Sequence, residues 1–287
     1  LFPILSGNAG VTRSAQGGSR SDSTSGSFAS GVGETYEAGL SASWEADIWG
    51  RLRRNLERNA WDGRWYRRAY FDDGTPLGSA ASAECRIDSI AQSWALISGA
   101  GRADRALDAV NAALGQLFDR DGQLLRLFTP AFQNTDAEPG YIKSYPPGVR
   151  ENGGQYTHAA AWMVYALARS GDRTRAHWLL TALNPINHAL DARSAEIYRV
   201  EPYVVAADVY AGRDKIGRGG WTWYTGSAGW LYRAAVEGIL GITLADGNLR
   251  VEPNIPPDWP GYEADIRLPD GRRYHIAVTR GDASHTV

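Results

Sequence analysis

The chain is poor in sulfur. Its 287 residues include one cysteine, Cys85, and one methionine. A single cysteine excludes an internal disulfide and a multi-cysteine metal site. Long apolar runs are also missing: no stretch of about 18 consecutive apolar residues exists, which excludes a transmembrane helix. Charge of one sign is not in excess. Thirty Lys and Arg face 32 Asp and Glu, for a net charge of -2, so no basic surplus is available to hold a nucleic-acid backbone. His177, His188, His275 and His285 lack metal-ligand spacing. No Gly-x-Ser-x-Gly marks a serine hydrolase. The first residues do not read as a signal peptide, and the start at Leu1 is expected of a fragment.

What the chain does have is 11 Trp, 14 Tyr and 33 Gly. Flat aromatic faces suit sugar rings and glycines suit tight loops around a ligand; a large aromatic core is the plain alternative. With 43% apolar and 22% charged residues, the chain can bury one large core or two ordinary ones.

Composition divides the chain into residues 1–54, 55–241 and 242–287. The run from Gly17 to Ser27 is small and polar and reads as a loop. Around it, Asn8–Arg13 and Tyr36–Glu45 alternate as strands and suggest a hairpin-like extension. From residue 55 the pattern is helical. Ile87, Ile90, Trp94 and Ile97 share one helix face, Ser98-Gly99 stops that helix, and Ala103–Leu117 supplies the next. The arrangement recurs: Tyr156–Ala168, a stop at Ser170-Gly171-Asp172, then Thr174–Leu183. Further helices are predicted over Tyr198–Tyr210 and Ser227–Leu240. From Thr243 short alternating strands take over, with a turn at Pro269-Asp270-Gly271. The expected fold class is therefore mainly α: stacked helical hairpins of a partial (α/α)6 toroid with a C-terminal β segment. A full ring needs roughly 300 residues and only about three pairs fit.

Three irregular segments carry ligand-type groups. Pro139–His158 contains Arg150, Glu151 and Asn152 side by side, a cation, an anion and an amide suited to a polyhydroxyl ligand, with His158 at the next helix start. The bland explanation is that Asn152 caps that helix and His158 is a satisfied core residue. Gly217–Trp230 places Thr225, Gly226 and Ser227 where a helix begins, so free amides and the helix dipole favour an anion. Trp221, Trp223 and Tyr224 could stack on sugar; an ordinary N-cap beside an aromatic cluster also explains the pattern. Glu201 precedes Pro202 at a predicted helix start, where a carboxylate complements the dipole with or without a ligand. Asp72-Asp73-Gly74 reads as a turn, and Cys85 as a buried thiol.

Two resemblances follow from ordered motifs. Phe2-Pro3-Ile4-Leu5-Ser6 and Gly39–Arg54, with Ala46-Asp47-Ile48-Trp49-Gly50, resemble the TolC-like outer-membrane efflux family. In that family such a stretch is a barrel hairpin; one hairpin cannot close a barrel, so pore formation is not expected. Trp61–Gly74, Ile87–Ala95, the Pro-Pro-Gly-Val-Arg-Glu-Asn-Gly-Gly-Gln-Tyr-Thr-His loop, Glu201-Pro202-Tyr203 and Trp221–Ser227 resemble glycoside hydrolase family 94, over about residues 55–280. This family holds the cellobiose and chitobiose phosphorylases and the C-terminal part of cyclic β-1,2-glucan synthases, and the glucan-synthase branch is the nearer one.

The second resemblance implies an (α/α)6 toroid with a small β domain and inverting phosphorolysis of β-glucosides to α-glucose 1-phosphate. Inorganic phosphate is the implied co-substrate, with no cofactor and no metal. It implies that His158, Thr225 and Gly226 bind phosphate. Tyr145, Arg150, Glu151, Asn152, Glu201, Trp221 and Trp223 are the implied substrate-binding set, with a β-linked gluco-oligosaccharide as partner. The family's general acid lies in an Asp-Trp-Asn-Asp motif, and this chain contains none. No catalytic residue is therefore assigned, and an impaired, truncated and fused domain is expected, from a bacterial parent that is cytoplasmic or membrane-associated. The alternatives are a non-catalytic sugar- or phosphate-binding remnant and an efflux-type envelope protein. An incomplete toroid would expose apolar surface and favour self-association.

Overall fold

The structure is a computed structural model. It describes residues 4–15, 32–43, 50–136, 138–223, 225–268, 270–281 and 285–286. The chain divides into two compact units, Leu1–Leu52 and Arg53–Val287. In the first, β1 (Ile4–Ala15) and β2 (Val32–Ser43) form an antiparallel pair, with Ile4 opposite Ser43 and Ala15 opposite Val32. Phe2, Pro3, the loop 17–27 and Ala46–Trp49, all used in the reading above, lie outside the described residues.

After the short α1 (Arg51–Asn55), the larger unit alternates helices with two-residue strands. These strands are β3 (Ala69–Tyr70), β4 (Pro76–Leu77), β5 (Ile87–Asp88), β6 (Phe118–Asp119), β7 (Leu124–Leu125), β8 (Phe128–Thr129), β9 (Gln155–Tyr156) and β10 (Asp208–Val209). They pair as β3–β4, β5–β8, β6–β7 and β9–β10, all antiparallel. The helices are α2 (Ser89–Ile97), α3 (Ala103–Leu117), α4 (Thr157–Arg169), α5 (Arg173–Leu183), α6 (Ala192–Tyr198) and α7 (Thr225–Arg233). Beyond α7 the strands β11 (Ile242–Ala245) and β12 (Asn248–Val251) form a hairpin, and β13 (Gly261–Arg267), β14 (Arg273–Arg280) and β15 (His285–Thr286) form a second sheet.

The helix α4 is central because its sequence is apolar all round. Ala160, Met163, Val164 and Leu167 are buried, and α4 packs against α2, α5 and α7. Its alanines let neighbours approach closely. Around it, α3 contributes Ala106, Ala109, Val110, Ala113, Leu114 and Leu117, and α5 contributes Ala176, Leu179 and Leu183. The turn between α4 and α5 follows from Ser170-Gly171-Asp172. Gly171 takes φ +81°, the left-handed conformation that ends a helix at least cost for glycine. Asp172 then accepts the Arg175 main-chain N–H at 3.0 Å and starts α5. A buried Gln92 on α2 ties in the preceding aromatic loop: it accepts from Tyr66 N at 2.8 Å and donates to Tyr66 O at 2.9 Å.

Two expectations need correction. Strand and helix are mixed more evenly than in a mainly α chain, because the β1–β2 pair and the C-terminal strands β11–β15 add to the short two-residue bridges among the loops of the helical region. The predicted helix over Tyr198–Tyr210 is not formed. Helix α6 ends at Tyr198, Arg199 follows in the left-handed conformation (φ 63°), and the chain runs irregularly to β10. The apolar run there is buried by tertiary packing, not by a helix face.

Replacing Leu167, which is fully buried in this core, by alanine should cost about 2–5 kcal/mol. The expected readout is a lower urea midpoint with an unchanged slope.

Candidate functional site

The three irregular segments singled out in the sequence meet at the head of α4. Thr157 N donates to Ala207 O at 2.9 Å, Ala207 N to Trp221 O at 2.6 Å, and Gly220 N to Asp208 O at 2.8 Å. Ala211 N reaches back to Gly148 O at 2.8 Å, and β9 pairs with β10. Residues far apart in sequence are thereby fixed beside one another without a regular sheet.

One corner of the site is formed by α4 and α7. His158 stands in the first turn of α4, and Gly226 in the first turn of α7. A methyl group placed on Gly226 would lie 3.4 Å from His158 Nδ1 and 3.6 Å from Cε1. The opposite imidazole nitrogen, Nε2, is buried with no hydrogen-bond partner. A proton on Nε2 would be a buried donor without an acceptor, so the neutral ring is better served by a proton on Nδ1, facing Gly226. Trp162 packs edge-on to the ring at 4.7 Å, and Trp230 lies 6.1 Å away. Burial pushes the His158 pKa below its ordinary value. The corner therefore offers a neutral N–H donor beside the start of a helix, a combination suited to an anion.

The second corner is built on Arg150, Glu151 and the exposed aromatics. Arg150 has φ 48°, a conformation that costs a residue with a Cβ about 1–2 kcal/mol. Its guanidinium lies over Tyr145 at 5.5 Å and over Trp221 at 5.0 Å, and its Nε is 3.4 Å from Glu151 Oε2. Burial disfavours the Arg150 charge, but Glu151 and Asp208 outweigh that effect and keep the guanidinium charged. Tyr145 also packs edge-on to Tyr141 at 6.2 Å. Trp221 is 56% exposed and Trp223 69% exposed. A charged pair with flat rings on an open rim can hydrogen-bond to hydroxyls and stack on a pyranose.

Asn152 and Glu201 stand apart from those groups. Asn152 is fully buried; its amide donates to Phe132 O at 2.9 Å and Tyr145 O at 2.7 Å and accepts from Phe132 N at 2.8 Å. Its donors are used by the loop, so it shapes the site and does not face a ligand. It does not cap α4 either, since the cap position is Tyr156 and no side chain caps it. Glu201 lies on an irregular segment, not at a helix start, and accepts the Trp223 indole N–H at 3.3 Å. Its own main-chain N–H and that indole hold its carboxyl below the usual range. The Thr225 side chain and all of Tyr224 lie outside the described residues. Asp72-Asp73-Gly74 is a turn, with Gly74 N donating to Phe71 O at 2.9 Å. Cys85 is buried, and burial pushes its thiol pKa up. Among the described residues no group of three His, Cys, Asp or Glu could hold a metal ion, and no helix is long and apolar enough to cross a membrane.

Sequence reasoning missed Asp208. It is 0% exposed on β10, between the two corners, and Oδ1 accepts Trp221 N at 3.1 Å. The available signal was a lone carboxylate in the apolar run Val204-Val205-Ala206-Ala207-Asp208-Val209.

Residues 30–241 match the catalytic domain of the glycosyl hydrolase 94 superfamily. The chain belongs to that family. The match covers the whole site and also takes in residues 30–54, ahead of the start at about residue 55 expected from the motifs. Over 243 residues, 85% of this chain, it is 54% identical to a cyclic β-(1,2)-glucan synthase of Rhizobium meliloti. It is 33% identical over 235 residues to an N,N'-diacetylchitobiose phosphorylase of Vibrio proteolyticus, and 30% identical over 211 residues to a solabiose phosphorylase of Paenibacillus borealis. The chain spans 8% of the first of these relatives, 28% of the second and 27% of the third.

The depressed His158 pKa has a sign. The folded state favours the neutral ring, so its contribution to stability is present above the ordinary value of 6.5 and is lost as pH falls below it. His188, also depressed by burial, acts in the same sense. Thermal melts should therefore fall between about pH 7 and pH 5, and His158→Gln should make the decline shallower.

Proposed function

We propose that this chain is a glycoside phosphorylase-type domain that holds the phosphate and sugar-binding half of an inverting phosphorolysis site. The observation that carries the reading is the approach of His158 Nδ1 to Gly226 at the start of α7, with Nε2 buried and unpartnered. In the proposed reaction a phosphate oxygen attacks C1 of a β-linked glucosyl unit. The C1–O glycosidic bond breaks, its oxygen takes a proton from a carboxylic acid, and α-glucose 1-phosphate leaves. Phosphate does the work of the activated water of an inverting hydrolase, so a second carboxylate base is not required. His158, Gly226 and Thr225 are the phosphate ligands in this reading, with the helix dipole stabilising the dianion. Arg150, Glu151, Tyr145, Trp221 and Trp223 hold the saccharide, and Glu201 steadies Trp223. The names of the phosphorylase relatives and of the glucan synthase support a β-glucan or β-linked gluco-oligosaccharide as the saccharide.

The proton donor is the missing part. The chain carries no Asp-Trp-Asn-Asp motif, and we assign the acid to residues outside it, in keeping with the small share of its relatives that it spans. In the same reading the hairpins α2–α3 and α4–α5 belong to an (α/α)6 toroid completed by other residues, and a second copy of the chain can cover the open edge. The efflux-type reading of residues 1–54 rests on motif resemblance. The β1–β2 pairing supports a hairpin, while the family match from residue 30 argues against a junction at residue 54.

The test is incubation with β-1,2-gluco-oligosaccharides, and separately cellobiose, with inorganic phosphate. Absence of a general acid lowers the rate by about 10²–10⁴, so glucose 1-phosphate should stay at background. Phosphate should raise the melting temperature, and His158→Ala should abolish that shift. Product formation lost in His158→Ala would mean that the chain contains its own acid. Absence of any phosphate-dependent stabilisation would remove the phosphate site and with it the proposed function.

A further inference from the structure

Asp208 takes no part in the scheme above, yet it is the most enclosed charged group near the site. It is 0% exposed and stands on β10 opposite Tyr156 of β9. One oxygen, Oδ1, accepts Trp221 N at 3.1 Å; the other, Oδ2, is buried with no hydrogen-bond partner. The backbone leaves no slack around it. A methyl group on Gly220 would lie 2.2 Å from Oδ1 and 2.6 Å from Oδ2, so only glycine allows this approach. Arg150 lies near enough for the Asp208 charge, with that of Glu151, to sustain its cation. An unpartnered buried carboxylate oxygen is costly unless a charge compensates it, and the Arg150 guanidinium, stacked between Tyr145 and Trp221, is the compensating charge at hand.

Resting on the proposed saccharide site, we infer that Asp208 is its positioning residue: one buried carboxylate clamps the Trp221 loop by hydrogen bond and the Arg150 loop by charge, and so sets saccharide affinity without touching the saccharide. Asp208 also lies one residue from Ala207, whose carbonyl receives Thr157 N at the start of the His158 helix. Main-chain bonds join the phosphate corner to this segment. Removing the Asp208 charge should therefore loosen the sugar corner and leave the phosphate corner intact.

The charged and titratable groups facing Asp208 are Arg150 and Glu151 on the loop before β9 and Tyr156 on β9. Burial raises the Asp208 pKa; the Trp221 N–H, the Arg150 charge and the Arg150 main-chain N–H oppose this, and Glu151 adds to it. As pH falls, Asp208 is neutralised at a higher pH than an ordinary carboxylate, and Arg150 loses one of its two counter-charges.

The experiment measures binding of a β-1,2-linked gluco-oligosaccharide by tryptophan fluorescence from pH 4.5 to 7.5, and phosphate-induced thermal stabilisation in parallel, on the wild type and Asp208→Asn. Asparagine keeps an acceptor for Trp221 N and removes the charge. We expect saccharide affinity to drop about tenfold at pH 7, the scale of one charged interaction. Wild-type affinity should fall towards acid pH and the variant should be flat, with the phosphate response retained in both. Equal affinity and equal pH profiles in the two proteins would overturn the assignment. If the variant does not fold, the wild-type profile decides: affinity independent of pH overturns the assignment, and a fall above the ordinary carboxylate range supports it. A wild type that binds no saccharide at any pH overturns the saccharide site and this assignment together, while leaving the phosphate response to be read separately.

Discussion

A covered loop must pair its main-chain polar groups, and that requirement shapes this molecule more than any other. The segments around Arg150 and Trp221 are rich in glycine and proline, and the segment around Ala207 follows the left-handed Arg199 and Pro202; none of the three is helical. They meet the requirement through one another. Thr157 N, Ala207 N and Gly220 N each find a carbonyl on a different segment. Every strand from β3 to β10 is two residues long, because a bridge of that length satisfies the loops without straightening them. Asn152 completes the arrangement by spending a whole side-chain amide on the backbone at Phe132 and Tyr145.

The helices serve this loop cluster in a simple way. Apolar on every side, α4 is held rigid by α2, α5 and α7, and it presents its first turn to the cluster. His158 therefore needs no hydrogen bond to fix its position; Trp162 and Trp230 confine the ring by shape. A histidine held by packing keeps a nitrogen for a ligand, whereas one held by hydrogen bonds would not. Electrostatics divide the site along the same line. Among the described residues no carboxylate shifts His158, and the α4–α7 corner favours an anion through a helix start. The Arg150 corner is a balanced pair of charges under aromatic rims, which favours a neutral, hydroxyl-rich ligand.

Much of this was legible beforehand. The boundaries of α3 agree with the run Ala103–Leu117, and the stops at Ser98-Gly99 and Ser170-Gly171 end their helices, because glycine at a helix terminus and a 3.6-residue apolar repeat are local signals. The ordered motifs pointed to the family that the comparison returned. The segment Tyr198–Tyr210 misled because its apolar residues carry no information about which partner buries them. Tyr198, Ala206 and Val209 pack with Leu124, a contact invisible in a linear reading. Asn152 misled for the same reason: an amide beside Arg and Glu looks like a ligand-binding group until its partners are known.

The sequence by itself determined the helical hairpins, the turn chemistry, the family and the list of groups able to meet phosphate and sugar, since each depends on neighbours a few residues away or on an ordered motif. Only the tertiary structure decided which of those groups stand together. It brought His158 to Gly226 across some seventy residues, turned Asn152 inward, joined Glu201 to Trp223 and placed Asp208 at the centre. The physical reason is that burial and main-chain pairing are settled between segments, not within them. The conformations of Arg150 and Gly220 follow from contacts that no single segment can specify.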